Sequence, residues 1–431
     1  MTAFRAMATN GVRHVGAVVC LACLPILGPA VADDTGFVPA TTIATTAAKG
    51  DRHTGDAENE RPILIGLNAT LSGSVGQSGR AIKRGLRLAI DEVNAAGGVL
   101  GRRLEIIEDD NRGIPARGVD IIDDFAKLDN LVAIVGGIHS PVASASLKAI
   151  HKHGIVYLGP WAASTPVVDN GYRPNYVFRV SARDEFAGGF LIDTALKRGF
   201  RRPGLLLWRT GWGRSNEKAM TTALRRTKTE PAGTQWFNTS QRDISDQIDK
   251  LVSAGADVIM LVANASEGLT VFRNMAARPL EKRVPIISHW GITGGNLFKR
   301  DPTVFEKIDL TFLQTYSFFE PPFRKKSARL LEAYCAKYRD CGSPAAVFSP
   351  VGTAHAYDLV HLLKRAIEKA GSTDRAKVRD ALERLDRYDG LVRVYDPAFT
   401  PDRHDALNVS DFRLCRYDGR GAIVPIGSEL N

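Results

Sequence analysis

From Arg61 onward, short apolar runs alternate with stretches in which apolar residues recur every three or four positions. Ile63–Leu67 is a short apolar run of the kind that makes a buried strand. A loop of small and hydroxylated residues follows, with Asn68, Thr70, Ser72, Gly73, Ser74 and Gly76. Ile82, Leu86, Ala89, Ile90 and Val93 then line one face of a helix. Gly97 and Gly98 stop it, Gly101 permits a tight return, and Leu104–Ile107 begins the next strand. In a β-loop-α-turn-β unit of this type the Ser/Gly loop lies at the carboxyl end of a parallel strand, where open α/β sheets bind ligands.

The same alternation continues along the chain. Strands are predicted at Val132–Gly136, Ile155–Leu158, Tyr176–Arg179, Gly204–Trp208, Val258–Val262, Pro285–Ser288 and Ile308–Gln314. Helices are predicted at Pro141–His153, Glu185–Arg198, Ser215–Thr227, Ile244–Ser253 and Glu267–Ala276. Three helices then follow in a row, at Arg324–Tyr338, Val351–Lys369 and Arg375–Leu385, before short strands near Val392–Tyr395 and Phe412–Tyr417. Repeated β-α units imply an α/β fold of parallel sheets with helices on both faces. At 431 residues the chain is long for one core, so two compact units are expected.

The first sixty residues break this pattern. Arg5 and Arg13 precede the apolar run Val15–Leu27, and Ala30-Val31-Ala32 precedes Asp33-Asp34. A basic region, a short apolar region and an A-x-A site are the parts of a cleavable secretory leader, here residues 1–32. Residues 33–60 are rich in Thr, Ala and polar residues without a sustained period and read as a disordered linker. The apolar run is short for a permanent membrane anchor, so the mature chain is expected to be exported and periplasmic, with no stable membrane insertion. Cys20 and Cys23 fall inside the leader. Of the remaining three cysteines, Cys335 and Cys341 could close a small loop in an oxidising compartment or, with Cys415, remain thiols.

Composition narrows the function classes. With 44% hydrophobic and 24% charged residues the chain reads as a soluble globular protein. The formal charge of +10 falls to +8 when Arg5 and Arg13 leave with the leader. The basic residues are spread over many helices and turns, without the aromatic-interleaved basic patch that single-strand binding needs, so no nucleic acid is expected.

Enzyme chemistry finds no support. Gly211-Trp212-Gly213-Arg214-Ser215-Asn216 is two thirds of a dinucleotide fingerprint, but Asn216 stands where the third glycine belongs. There is no phosphate loop ending in Gly-Lys-Ser/Thr and no G-x-S-x-G elbow. His139, His151 and His153 invite a metal, yet His151 and His153 point to different sides and no Cys or carboxylate pattern completes a set. Asp109 and Asp110 follow a strand, but adjacent residues diverge. No catalytic residue, cofactor or metal is expected.

Loops at the carboxyl ends of strands are better furnished. After Val132–Gly136, Pro141 suits the first helical position and Ser140 the N-cap; the same geometry offers a hydroxyl and free amides to an anion. After Ile155–Leu158 come Gly159-Pro160-Trp161-Ala162-Ala163-Ser164-Thr165-Pro166, with small residues and exposed amides. The later half supplies Trp212, the Asn264-Ala265-Ser266-Glu267 turn and Ser288-His289-Trp290-Gly291. Three of the five tryptophans (Trp161, Trp212, Trp290) fall on these strand ends, which favours an aromatic-walled pocket over ordinary core packing.

These features together resemble the branched-chain amino acid (Leu/Ile/Val)-binding family of ABC transporter substrate-binding proteins, of the type I periplasmic binding proteins. The resemblance rests on I-G-L-x-x-x-L-S-G from Ile65, on LAIDEVNAAGGVLGRRLE from Leu88 with the following Asp109-Asp110, and on the Pro160–Pro166 loop. Ala356-Tyr357-Asp358 and the run from Ala366 to Gly371-Ser372 add to it. It implies two doubly wound, Rossmann-like α/β lobes with a hinge and a ligand cleft between them. Lobe 1 is expected to comprise 62–178 and 315–385, and lobe 2 179–314 and 386–431. It implies a monomer that takes a small-molecule ligand and docks on the permease subunits of an ABC importer. A periplasmic sensing subunit feeding a receptor kinase would have the same pocket. By the resemblance, Ser140 with Ala162, Ala163 and Ser164 holds ligand carboxylate and amine, and Trp212 closes from the second lobe. The relatives' carboxylate partner for the ligand ammonium falls at Trp290, and a tyrosine of theirs at Asn264; Glu267 is the acid that could compensate. That departure widens the expected ligand from an α-amino acid to an aromatic or aliphatic carboxylate or an amide.

Overall fold

The computed structural model describes residues 61–339 and 343–427. The leader and linker expected over 1–60 lie outside these residues, as does Cys341.

Two sheets organise the described chain. The first is built from β1 (Ile63–Ala69), β2 (Leu104–Asp110), β3 (Leu131–Gly136), β4 (Val156–Gly159) and β5 (Val177–Arg179) in the order β2-β1-β3-β4-β5. All of its pairings are parallel. Parallel neighbours need a crossover, and α1 (Gly76–Ala95), α2 (Pro115–Phe125) and α3 (Ser140–Lys152) supply three of them. β3 is buried along its whole length, and its sequence LVAIVG is accordingly apolar without alternation.

After β5 the chain enters α4 (Asp184–Lys197) and the second sheet. β6 (Pro203–Trp208), β7 (Gly233–Phe237), β8 (Val258–Val262), β9 (Ile286–Ser288) and β10 (Leu310–Gln314) are parallel, with α5 (Gly211–Arg226), α6 (Ser245–Ser253) and α7 (Ala265–Ala276) between them. Helices α8 (Arg324–Tyr338), α9 (Pro350–Ala370) and α10 (Arg375–Leu382) and a two-stranded hairpin, β11 (Tyr388–Asp389) and β12 (Val394–Tyr395), follow. β13 (Arg413–Tyr417) and β14 (Ile423–Pro425) complete the second sheet in the order β14-β13-β10-β9-β8-β6-β7.

The late helices return to the first sheet's side. Helix α9 lies against α1, and Gly85 makes this possible: a Cβ there would stand 2.2 Å from the Thr353 carbonyl oxygen. Asp358 on α9 ties the hairpin down, accepting from the amides of Leu391 (2.7 Å) and Val392 (2.9 Å) and from the Tyr395 hydroxyl (2.7 Å). Burial pushes its carboxyl up to about 6, against the pull of those three donors.

The fold is thus the α/β class expected from the alternation, in the two-lobed, doubly wound arrangement that the resemblance implies. Three details differ from the sequence reading. The short helix α2 carries buried residues only at Gly118, Ile121 and Ile122, too few for a clear period. Strand β7, Gly-Thr-Gln-Trp-Phe, is an edge strand buried only at Phe237, so it lacks an apolar run. Finally, β13 pairs antiparallel with β10 and with β14; a tight turn, with the Gly421 amide bonded to the Asp418 carbonyl, joins β13 to β14.

Candidate functional site

The carboxyl ends of the strands carry the expected loops. Ser140 is the first residue of α3, one position inside the cap that the sequence assigns it. His139 holds the cap with no side-chain bond, while the Ser140 hydroxyl accepts from the Ser164 amide at 3.2 Å. Ala162 and Ser164 present their carbonyls to Nη1 of Arg179, at 2.9 and 3.0 Å, and the Ala163 carbonyl accepts from the Asp184 amide at 2.9 Å. Arg179 is fully buried, and its Nε pairs with Asp405 at 2.6 Å. A buried guanidinium without that carboxylate would cost several kcal/mol, so Asp405 is what allows Arg179 to clamp the loop.

From the other side, Thr210 caps α5 by accepting from the Gly213 amide, and Trp212 sits in the first turn. Its indole N–H does not point at open space. It donates to Oδ1 of Asp184 at 3.1 Å, and the Nε2 of His289 lies 3.2 Å from the same oxygen. The Trp290 amide donates to His289 Nδ1 at 2.9 Å, which assigns the proton of a neutral ring to Nε2, facing Asp184. Trp212 thus bonds one oxygen of Asp184, and His289 Nε2 lies beside that oxygen without a hydrogen bond to it. The other oxygen, Oδ2, is buried and has no hydrogen-bond partner in the described structure.

The rings form a continuous wall. Trp208 and Trp212 meet edge to face at 6.4 Å, Trp212 and His289 at 5.1 Å, His289 and Trp290 at 5.8 Å, and Trp290 and Trp161 at 6.2 Å. Asn264 precedes α7 and is buried with no side-chain cap bond. Its Oδ1 and the Trp212 ring both approach Gly291, where a Cβ would come within 2.7 and 2.6 Å of them. Glu267 is turned elsewhere: it accepts from the Ser266 hydroxyl at 2.7 Å and, weakly, from the Ser240 amide at 3.5 Å. The structure therefore brings Ser140, Ala162, Ala163, Ser164, Trp212, Asn264 and Trp290 into one neighbourhood and leaves Glu267 bonded within its own side of it.

Besides Asp184 Oδ2, the buried polar atoms with no partner include Trp161 Nε1, His289 Nε2 and Asn216 Oδ1. Each such atom costs about 1–3 kcal/mol when left unpaired. Three of them, on Asp184, Trp161 and His289, lie in or against the aromatic wall. Asp184 escapes sequence reasoning because Arg183-Asp184-Glu185 reads as the usual acidic first turn of a helix; nothing local marks it as buried.

The opening loop is braced from beneath. Asp110 accepts from the Leu71 amide (2.9 Å), the Ser72 hydroxyl (2.5 Å) and the Arg112 amide (2.9 Å). Burial raises the Asp110 carboxyl, but these donors outweigh it and hold it below its ordinary value. Thr70 donates to Asn111 and contacts His139 Nδ1 at 3.0 Å; burial holds that imidazole at about 4, so it is neutral at pH 7. His151 and His153 bond to the Leu147 carbonyl and to Asp123. Among the described residues no group of three or more metal-ligating side chains converges, and no helix is long and apolar enough to cross a membrane.

A cavity of about 430 Å³ opens away from this wall, beside Arg183, Arg393, Arg403 and His404. Its guanidiniums are spent: Arg183 on Glu185 and Asp405, Arg393 on Asp411, and Arg403 on the carbonyls of Ala398, Pro397 and Asp405. Size alone does not make it the better site, since it holds no buried polar group awaiting a partner.

One parallel and one mixed sheet, with the buried polar and aromatic wall built from loops at their strand ends, make a two-lobed α/β protein. A family model for periplasmic binding proteins matches residues 62–422, and the chain belongs to that family. Among its relatives, a Leu/Ile/Val-binding protein homolog of Brucella abortus is 26% identical over 325 residues, covering 74% of this chain and 82% of the relative. Two solved structures share the fold. One is a branched-chain amino acid transporter substrate-binding protein of Streptococcus pneumoniae in complex with isoleucine (TM-score 0.70, 22% identity, 85% of this chain and 100% of that one). The other is a solute-binding protein of an ABC transporter from R. palustris in complex with 4-hydroxybenzoate (TM-score 0.71, 17% identity, 85% of this chain and 96% of that one).

Proposed function

We propose that this chain is an extracytoplasmic solute-binding protein of an ABC importer that captures a small amino-acid-like ligand between two closing lobes. Lobe 1 comprises 62–178 and 315–385, and lobe 2 comprises 179–314 and 386–431. The observation that carries the reading is the buried, unpartnered Oδ2 of Asp184, whose other oxygen is held by the Trp212 indole N–H. A carboxylate with one oxygen held by an N–H donor is suited to a ligand ammonium or amide N–H on the other. Asp184 thereby takes the role that the sequence left empty at Trp290, and the amino acid returns to the front of the possible ligands.

The Ser140 hydroxyl, which already accepts from Ser164, retains its own O–H for a ligand carboxylate at the amino end of α3. Ala162, Ala163 and Ser164 shape the loop that receives the ligand in lobe 1. Trp212, Asn264 and Trp290 complete the enclosure from lobe 2, with Glu267 supporting the turn that carries Asn264. Only a ligand that touches both lobes shifts the open–closed balance, because equal affinity for the two states moves nothing. Micromolar binding, about −8 kcal/mol, is within reach of a few charge-assisted hydrogen bonds. The leader sends the chain to the periplasm, and the closed form delivers its ligand to the permease subunits. Support for the importer role comes from the Leu/Ile/Val-binding relatives.

A thermal-shift panel on the purified chain tests this. α-Amino acids should raise the melting temperature where the matching carboxylates without an amine do not. Stabilisation by the carboxylates alone would remove Asp184 from the reading.

A further inference from the structure

Polar atoms set the ends that a ligand must satisfy; the rings set how much can lie beyond them. Trp290 is 1% exposed and is met on three sides. Its centroid lies 6.2 Å from Trp161, 5.8 Å from His289 and 6.0 Å from His355. These are ring-to-ring contact distances, and a further ring does not fit between such partners.

Neither outer neighbour is free to give way. His355 is held at both nitrogens, Nδ1 donating to the Pro160 carbonyl at 2.7 Å and Nε2 accepting from the Thr315 hydroxyl at 2.9 Å. Trp161 is fully buried and rests on α9 at Gly352, where even a methyl group would stand 2.7 Å from Cζ3. Ser181, bonded through its hydroxyl to the Trp161 carbonyl at 2.8 Å, fixes the backbone of the same residue. Trp290 is thus wedged against a support that the long helix α9 holds in place.

We infer that Trp290, backed by Trp161 and His355, is a stop at the end of the cleft that limits the ligand to a short α-amino acid, the size of glycine, alanine or serine. This rests on the amino-acid reading proposed above. Branched and aromatic side chains are excluded by the indole that occupies their space. Removing that indole opens an apolar space next to the ammonium site, and engineered apolar cavities of about 150 Å³ admit a molecule the size of benzene.

The test measures binding of glycine, L-alanine, L-leucine and L-phenylalanine by calorimetry to the wild-type chain, Trp290→Ala and Trp290→Phe. Wild type should prefer alanine over leucine and phenylalanine by ~100-fold or more, and Trp290→Ala should cut that preference at least ~10-fold by gaining the larger ligands. Trp290→Phe, which keeps a ring against Trp161, should fall between the two and carries the test should Trp290→Ala not fold. Leucine or phenylalanine binding to wild type as tightly as alanine overturns the stop while leaving the amino-acid reading intact. A folded Trp290→Ala or Trp290→Phe whose preference matches wild type also overturns it. If none of the four binds wild type and propionate or benzoate does, the amino-acid reading fails and this inference fails with it.

Discussion

Trp212 donates its indole N–H to Oδ1 of Asp184 at 3.1 Å, and both side chains are buried. Asp184 opens α4 just after the chain leaves the first sheet, and Trp212 opens α5 after the first strand of the second sheet. The bond leaves the second carboxylate oxygen aimed at no protein donor, which makes Asp184 the most economical anchor for a cationic group in the seam.

Asp184→Asn keeps the side chain's size and removes its charge. Binding of an α-amino acid should weaken by ~100-fold or more, about 3 kcal/mol, as expected when one partner of a buried charge pair is lost. Calorimetry on the purified variant measures this. An unchanged dissociation constant would place the ammonium elsewhere.

Ser140→Ala combined with Trp212→Ala strips the site of one polar contact on each lobe. Ligand-induced thermal stabilisation should disappear. The Ser164 amide also loses its 3.2 Å acceptor and a buried indole becomes a methyl, so the unliganded chain should melt earlier, with the Trp212 truncation by itself costing about 3–5 kcal/mol. A ligand shift of unchanged size would show that these loops do not form the site.

Gly352→Ala tests the support beneath Trp161. Its new methyl would meet the indole at 2.7 Å, and overpacking of this kind costs about 1–3 kcal/mol in unfolding free energy. Adding Trp161→Phe should recover part of that loss, because the two residues share one contact. Denaturant melts of the two single variants and the double variant form the cycle. Simple additivity would mean that the contact is not the source of the cost.

The interior histidines predict an acid-sensitive fold. Burial lowers His139 and His355 from 6.5 to about 4, so below pH 6.5 the unfolded chain binds protons that the folded chain does not. Each should therefore subtract stability as pH falls from about 6.5 to about 4, to a limit of roughly 3 kcal/mol. Asp358, raised from 3.8 to about 6, acts in the opposite sense: its folded form prefers the proton, so it favours the fold below that range and loses ground as pH rises through it. Comparing wild type with His355→Gln separates the contributions. The slope of unfolding free energy between pH 6.5 and 4 should be shallower in the variant, and an equal slope would show that His355 is not neutral inside the fold.

Much of the site was legible because its residues sit where local rules place them. Ser140 and the Ala162–Ser164 loop follow apolar runs, and a small-residue loop after a buried strand can be recognised without knowing the fold. The helix that follows Ser140 starts one residue earlier than its Pro141 signal implies, a shift that turns the Ser140 hydroxyl from the helix cap to Ser164. Cysteine usage was readable only in part: Cys335 is disulfide-bonded, and Cys415 is a buried free thiol pushed up to about 12 by burial. Glu267 shows the opposite failure. Spacing put an acid one turn from Asn264, and the structure turns that acid toward Ser266 and Ser240.

The sequence by itself determined most of the strands and helices from Ile63 onward, the α/β class and the family, since hydrophobic period and turn chemistry act over a few residues at a time; α2 and β7, which lack a clear period, escaped it. Only the tertiary structure decided which polar groups share the buried seam. Asp184, Trp212 and His289 lie far apart in the chain, and no local pattern distinguishes a helix-starting aspartate in water from one buried against an indole N–H. Desolvation makes that difference: burial leaves one oxygen of this acid without a partner among the described residues.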